Sequence, residues 1–209
     1  MIRWIGVSPY WNNGNPIPVP DDYKYLFPLS EEAVHHIQQI RPEGIYCPHD
    51  AYERATNRYS LRLSLPPHLS PEWSAVNGAV LKSTHSVSGK GVRVLEDAVI
   101  VEEFIPFPQY QQDGFVVDGK ISFLPTLQQS WKDDYITSYR KIDDWAIRDA
   151  AEETICALGV NNTPFCIEFR KQGNQPIVIE VNIRLGEDTG LPELLGFTPG
   201  VSDPQVLEG

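Results

Sequence analysis

Two carboxylates, an amide and a guanidinium recur at alternating positions late in the chain. Glu168 lies in the run Phe165-Cys166-Ile167-Glu168-Phe169-Arg170, and Glu180, Asn182 and Arg184 lie in a second run that begins at Ile177. Phe165, Ile167 and Phe169 alternate with Cys166, Glu168 and Arg170; Ile177, Ile179, Val181 and Ile183 alternate with Val178, Glu180, Asn182 and Arg184. Strand side chains point to opposite faces in turn, so each run reads as a strand with one apolar and one polar face. A hairpin folded symmetrically about Asn174 sets Glu168 opposite Glu180 and Cys166 opposite Asn182, with Arg184 one step further along the polar face. Carboxylates opposed in this way repel each other unless a cation sits between them. Oxygen ligands of this kind suit Mg²⁺, which takes one or two carboxylates and completes its shell with phosphate and water. An ordinary amphipathic hairpin with a solvated outer face shows the same alternation, and strand register decides between the two.

A second group precedes it. Ser86-Val87-Ser88-Gly89-Lys90-Gly91-Val92 joins two β segments, and Lys82 stands just before it after Val80-Leu81. Glycines let a backbone approach phosphate closely, and successive N–H groups form a nest for anions. The spacing is not that of a Walker loop and no helix follows, and a plain turn between strands has the same composition. Val101-Glu102-Glu103-Phe104-Ile105-Pro106 is an apolar strand carrying two acids.

The elements that must position these residues are legible in outline. Ile2, Trp4, Ile5 and Val7 read as a first strand, and residues 9–29, rich in Pro, Asn and aromatics, as an irregular loop. Ser30 with Glu31 and Glu32 starts a helix whose stripe is Ala33, Val34, Ile37 and Ile40. Pro42 and Gly44 end it before a short strand at Ile45-Tyr46-Cys47, and residues 50–63 predict another helix. This order suggests a small α/β unit with parallel pairing. Residues 92–95 and 99–105 are β segments, and Asp118-Gly119 between Phe115-Val116-Val117 and Ile121-Ser122-Phe123 predicts a tight hairpin. Residues 143–158 form the clearest helix, with Asp143 as cap and Gly159 as stop.

Composition narrows the classes. The 209 residues carry 17 basic and 28 acidic groups, a formal net charge of −11, without a basic run, which disfavours nucleic acid and anionic membranes as partners. Hydrophobic residues make up 41% and charged residues 22%, the balance of a globular domain. Cys47, Cys156 and Cys166 are widely spaced and show no zinc-site pattern, as expected of reduced thiols. No apolar stretch is long enough to span a membrane. A soluble cytoplasmic protein is the expectation.

Taken in order, Leu81-Lys82, the 86–91 loop, the strand with Glu102, and Glu168 followed by Glu180-Val181-Asn182-Ile183-Arg184 resemble the ATP-grasp superfamily over about residues 79–190. The ordered set is more specific than any one motif. The resemblance implies an α/β (α+β) fold in which two β-containing lobes clasp ATP, preceded by a small α/β unit. Residues 1–76 would be a reduced N-terminal unit and 77–209 the ATP-grasp domain, with 77–105 as lid lobe and 106–209 as C-terminal lobe. It implies that Lys82 contacts ATP phosphate and serves catalysis, that Ser88, Gly89 and Gly91 cover the triphosphate, and that Glu102, Glu103, Phe104 and Ile105 meet the adenine edge, mostly through backbone groups. Glu168, Glu180 and Asn182 would hold two Mg²⁺ ions (or Mn²⁺), Glu180 bridging them, and Arg184 would stabilise an acyl phosphate. Where the family often has an acid for the ribose hydroxyls this chain has Gln109, and Arg58 after Asn57 stands nearest to the lysine many relatives carry.

The implied activity is an ADP-forming ligase joining a small-molecule or peptide carboxylate to an amine, less readily a thiol. A phosphotransferase on the same fold and a nucleotide-binding regulatory module without turnover are the rivals. A homodimer is one way to complete a truncated lobe.

Overall fold

The computed structural model of the chain describes residues 2–6, 23–40, 46–82, 92–106, 108–132, 135–186, 191–197 and 199. Its centre is a six-stranded sheet in the order β10-β9-β5-β7-β8, with β6 beside β5. The strands are β5 (Gln109–Val117), β6 (Lys120–Phe123), β7 (Thr126–Lys132), β8 (Tyr135–Ile142), β9 (Thr163–Gln172) and β10 (Gln175–Asn182), and every pairing is antiparallel. Asp118 and Gly119 turn β5 into β6 with φ of 48° and 77°, the conformation that this dipeptide favours in a two-residue hairpin.

Helices cover one face of the sheet. They are α2 (His49–Thr56), α3 (Arg58–Ser64) and α4 (Trp145–Leu158). Ala51, Ala55, Leu61, Ile147, Ala151, Ile155 and Leu158 pack there against Phe165, Ile167 and Phe169 of β9 and Val178 and Val181 of β10. The single helix expected over 50–63 is two, because Asn57 leaves the helical region at ψ 114° and its side chain caps α3 by accepting from Ser60 N. α4 is capped by Asp144 rather than Asp143: the Asp144 carboxylate accepts from Ile147 N and also takes the Lys171 ammonium at 2.6 Å. Gly159 ends α4 in the left-handed region, as its sequence position predicts.

The N-terminal segment contributes to both faces: Leu26 and Ile37 join the helix-packed core, and Ile2, Trp4, Tyr25 and Phe27 join a second core on the opposite face. β1 (Ile2–Ile5) pairs in parallel with β2 (Tyr25–Pro28), which falls within the stretch read from sequence as loop. α1 (Glu31–Ile40) follows, burying Ala33, Val34 and Ile37 as the spacing predicts, and no strand forms at Tyr46-Cys47. Trp4 meets Phe27 and Phe115 edge-on and Phe197 at a tilt, and Phe27 stacks on Phe115, with Leu127, Leu185 and Leu191 completing this second core beside α5 (Leu191–Leu195).

A separate two-stranded ribbon of β3 (Trp73–Lys82) and β4 (Val92–Glu102) completes the described residues. Its base is tied down where Glu103 N donates to Glu72 O at 2.8 Å and Trp73 meets Tyr59 edge-on.

Candidate active site

Odd-numbered β5 residues face the second core at one end and a polar field at the other. Phe115 and Val117 enter the core, whereas Gln109, Gln111 and Asp113 turn the same face polar while remaining buried. Register extends this field into rows across three strands: Gln109, Arg170 and Ile177; Gln111, Glu168 and Glu180; Asp113, Cys166 and Asn182.

The expected opposition of Glu168 to Glu180 and Cys166 to Asn182 holds, through a different geometry. The turn is the tight pair Gly173-Asn174, so the first rungs join Gln175 to Gln172, Ile177 to Arg170 and Val178 to Phe169. Continued unbroken, that register would set Ile179 opposite Glu168 and point Glu180 at the helix-packed core, because a one-residue slip exchanges faces. A bulge at Ile179 adds one residue to β10, after which Glu180 opposes Glu168 and Asn182 opposes Cys166. Val178 and Val181 consequently both enter the core, and Glu180 and Asn182 both join the polar field.

Hydrogen bonds organise the field. Gln109 donates from Nε2 to Glu168 Oε2 at 2.6 Å and accepts at Oε1 from Arg170 Nε at 3.1 Å. Arg170 also donates to the Ile105 carbonyl at 2.8 Å and lies over the exposed Phe104 ring; burial lowers its pKa. In the next row Gln111 donates to Asp113 Oδ2 at 2.6 Å and accepts from Gln129, while Gly186 N donates to Asp113 Oδ1 at 2.7 Å. Burial pushes the Asp113 carboxyl up to about 6 against these donors, and burial together with the Asp113 and Glu168 charges holds the Cys166 thiol well above its usual value.

Charged groups from the helices rim the site. Arg58 stands 3.6 Å from Glu180, and Glu31 at the start of α1 accepts from Arg184 Nε at 3.0 Å. Glu31, Thr56, Arg58, Glu180 and Asn182 line a cavity of about 130 Å³ beside β10.

The structure therefore gathers Glu168, Glu180, Asn182 and Gln109 on one face, with Arg184 at its margin. Ile105 is joined to that face through its carbonyl, Phe104 points outward, and Glu103 accepts from Gln172 at 2.9 Å. The Glu102 carboxylate turns inward to the Arg62 guanidinium. Lys82 closes β3 opposite Val92, at the end of the ribbon away from Glu102. Ser88, Gly89 and Gly91 lie outside the described residues. Sequence reading missed Arg62, Gln111, Asp113 and Glu31. The run Gln109-Tyr110-Gln111-Gln112-Asp113 inside a strand was the available sign, since five polar or amphipathic residues there require a polar interior.

Two carboxylates and an amide oxygen on successive rungs of one face are the hard donor set that Mg²⁺ accepts, together with phosphate and water. Among the described residues no group of three or more His, Cys, Asp or Glu gathers to hold a metal.

The architecture is the ATP-grasp fold, and solved structures of that fold align over most of this chain. The L-amino acid ligase from Bacillus licheniformis aligns at a TM-score of 0.55 and 18% identity, covering 78% of this chain and 50% of that one. Phosphoribosylglycinamide synthetase from Anaerococcus prevotii aligns at 0.61 and 15%, covering 82% and 54%. N5-carboxyaminoimidazole synthetase from Staphylococcus aureus, solved with ADP, aligns at 0.56 and 12%, covering 81% and 66%. The chain thus spans half to two thirds of these proteins' lengths. No family model matches the sequence, and no curated protein matches it.

Proposed function

We propose that the chain is an ATP-dependent ligase that activates a carboxylate as an acyl phosphate and passes the acyl group to an amine, releasing ADP and phosphate. The observation that carries this reading is the bulge-set opposition of Glu168 and Glu180, with Asn182 on the next rung of the same face, in an ATP-grasp fold. ADP in a structural neighbour supports a nucleotide as the ligand.

In this reading residues 77–105 form the lid and 106–209 the lobe beneath the triphosphate, and residues 1–76 contribute to the substrate side. A substrate carboxylate oxygen attacks the γ-phosphorus, the bond to ADP breaks, and an acyl phosphate forms. The amine nitrogen then attacks the acyl carbon, phosphate leaves, and the amine gives up its proton. Mg²⁺, when bound, neutralises phosphate charge during the transfer. Glu168, Glu180 and Asn182 hold it, with Gln109 fixing Glu168 in place. Lys82, Ser88, Gly89 and Gly91 meet phosphate from the lid, and the segment from Glu102 to Ile105 meets the base through its backbone. Arg184, steered by Glu31, meets the developing oxyanion. Such chemistry asks of the protein chiefly position and charge.

Two measurements test it. Mg-ATP should raise the melting temperature, since a ligand at a hundred times its dissociation constant stabilises by about 2.7 kcal/mol, and EDTA should remove most of the shift. Hydroxylamine added with ATP and the true carboxylate should trap a hydroxamate. The absence of any shift at millimolar Mg-ATP would sink the proposal.

A further inference from the structure

The side chain of Arg62, on α3, is 1% exposed, yet its guanidinium meets four acceptors. Nε and Nη2 donate to the two carboxylate oxygens of Glu102, Nη1 donates to Val178 O at 2.9 Å, and Nη2 also donates to Ile179 O at 3.0 Å. The two carbonyls belong to consecutive residues of an edge strand. In a regular strand consecutive carbonyls point to opposite sides, one of them toward the neighbouring strand. Both reach one guanidinium here because the bulge falls between Val178 and Glu180.

We propose that Arg62 is the positioning residue that maintains this bulge, and with it the placement of Glu180 opposite Glu168. At the bulge two consecutive carbonyls turn to α3, and a planar fork of donors there satisfies both at once. Through Glu102, the last residue of β4, the same guanidinium ties the base of the ribbon to the bulge. A buried cation held only for stability could be exchanged for an apolar side chain with little loss. These acceptors give Arg62 a geometric task instead. Lysine, with one charged nitrogen, cannot span them. That Glu180 is then poised for Mg²⁺ rests on the function proposed above; the register itself does not.

The test reads register without any ligand. In a Cys156→Ser, Cys166→Ala background, Glu168→Cys and Glu180→Cys place two thiols on directly opposed residues, within the Cα separation that a disulfide requires. Mild oxidation should cross-link this protein nearly completely. Adding Arg62→Lys or Arg62→Met should lower the yield at least fivefold, because a lost bulge turns residue 180 to the other face. Arg62→Lys, the milder change, keeps the test decisive where Arg62→Met does not fold. A second arm uses the native carboxylates: the Mg²⁺ concentration giving half-maximal binding of a nonhydrolysable ATP analogue should rise about tenfold in Arg62→Lys. Undiminished cross-linking in a folded Arg62→Lys protein would overturn the proposal. Cross-linking that depends on Arg62 in a chain that binds no nucleotide would support the positioning role and reject the ligase reading.

Discussion

Gln109 holds Glu168 by a 2.6 Å hydrogen bond while its other amide atom accepts from Arg170, so both ends of a buried side chain are spent within the site. The family resemblance places a ribose-binding acid at this position. An acid here would meet the Glu168 carboxylate with an acceptor where the structure has a donor. Gln109→Glu should therefore destabilise the nucleotide-free protein by about 2 kcal/mol, as a buried pair loses its bond and gains a like charge. The loss should be larger at pH 8 than at pH 5, where two close carboxyls can share a proton. Urea denaturation at the two pH values checks this, and an unaffected midpoint at pH 8 would remove Gln109 as the residue that fixes Glu168.

Glu180→Gln relieves the repulsion across the ladder but also gives up the Arg58 contact at 3.6 Å, whose partners are 62% and 40% exposed. Exposed pairs contribute about 0–1 kcal/mol, so the two effects nearly cancel and the empty protein should keep its stability within about 1 kcal/mol. Turnover should fall about a hundred- to a thousandfold, the usual loss on removing one strong electrostatic contact to the transition state. Glu153→Gln is the control, because Glu153 lies on α4 in a surface pair with His68 and should change neither property. Normal ATP turnover by Glu180→Gln would make the opposed carboxylates incidental.

The cap of α4 separates sequence reading from structure. Asp143 and Asp144 are adjacent, and only Asp144 reaches Ile147 N while also holding Lys171, both partners being 19% exposed. Asp144→Ala should cost about 1–3 kcal/mol, combining a lost cap with a half-buried ion pair. Asp143→Ala should stay within about 0.5 kcal/mol. Thermal unfolding of the two variants, followed by far-ultraviolet circular dichroism, decides between them.

Local chemistry explains what the sequence made readable. Asp118-Gly119, the stripe of α1 and Gly159 each act on neighbouring residues, and each appears where the pattern puts it. Glu168, Glu180 and Asn182 were legible as one face because alternation survives on both sides of the bulge. The bulge itself was not, since nothing in Ile177-Val178-Ile179 marks the extra residue. β7 and β8 also escaped, their polar and aromatic mixture giving no clean period, and β8 is an edge strand exposed over much of its length. Parallel pairing of β2 with β1 depends on the second core, which joins residues from both ends of the chain. Arg62 reads in sequence as one more basic residue on the helix expected over 50–63; its four acceptors come from segments 40 and 116–117 residues away.

Asp113 gives the site a pH dependence with a definite sign. Its carboxyl is wholly buried and titrates at about 6 against an ordinary 3.8, burial outweighing the bonds from Gly186 N and Gln111. Below pH 3.8 the proton is bound in both folded and unfolded chains. As pH rises past that value the unfolded chain releases its proton first, while the folded chain keeps it until about pH 6. The folded state therefore binds more protons throughout this window, and its stability falls as pH increases. At 1.36 kcal/mol for each pH unit of separation, the contribution of Asp113 declines by about 3 kcal/mol between pH 4 and 6 and is level above. Glu32, Asp50 and Asp118 have lowered values and act in the opposite direction, so the wild-type curve alone does not isolate the effect. Asp113→Asn removes this one titration and leaves the others. The stability of wild type minus that of Asp113→Asn, measured by urea denaturation at half-unit intervals from pH 3.5 to 7.5, should fall by up to about 3 kcal/mol across the window. Parallel curves would mean that Asp113 titrates alike in the folded and unfolded chains, its burial offset in full by the bonds from Gly186 N and Gln111.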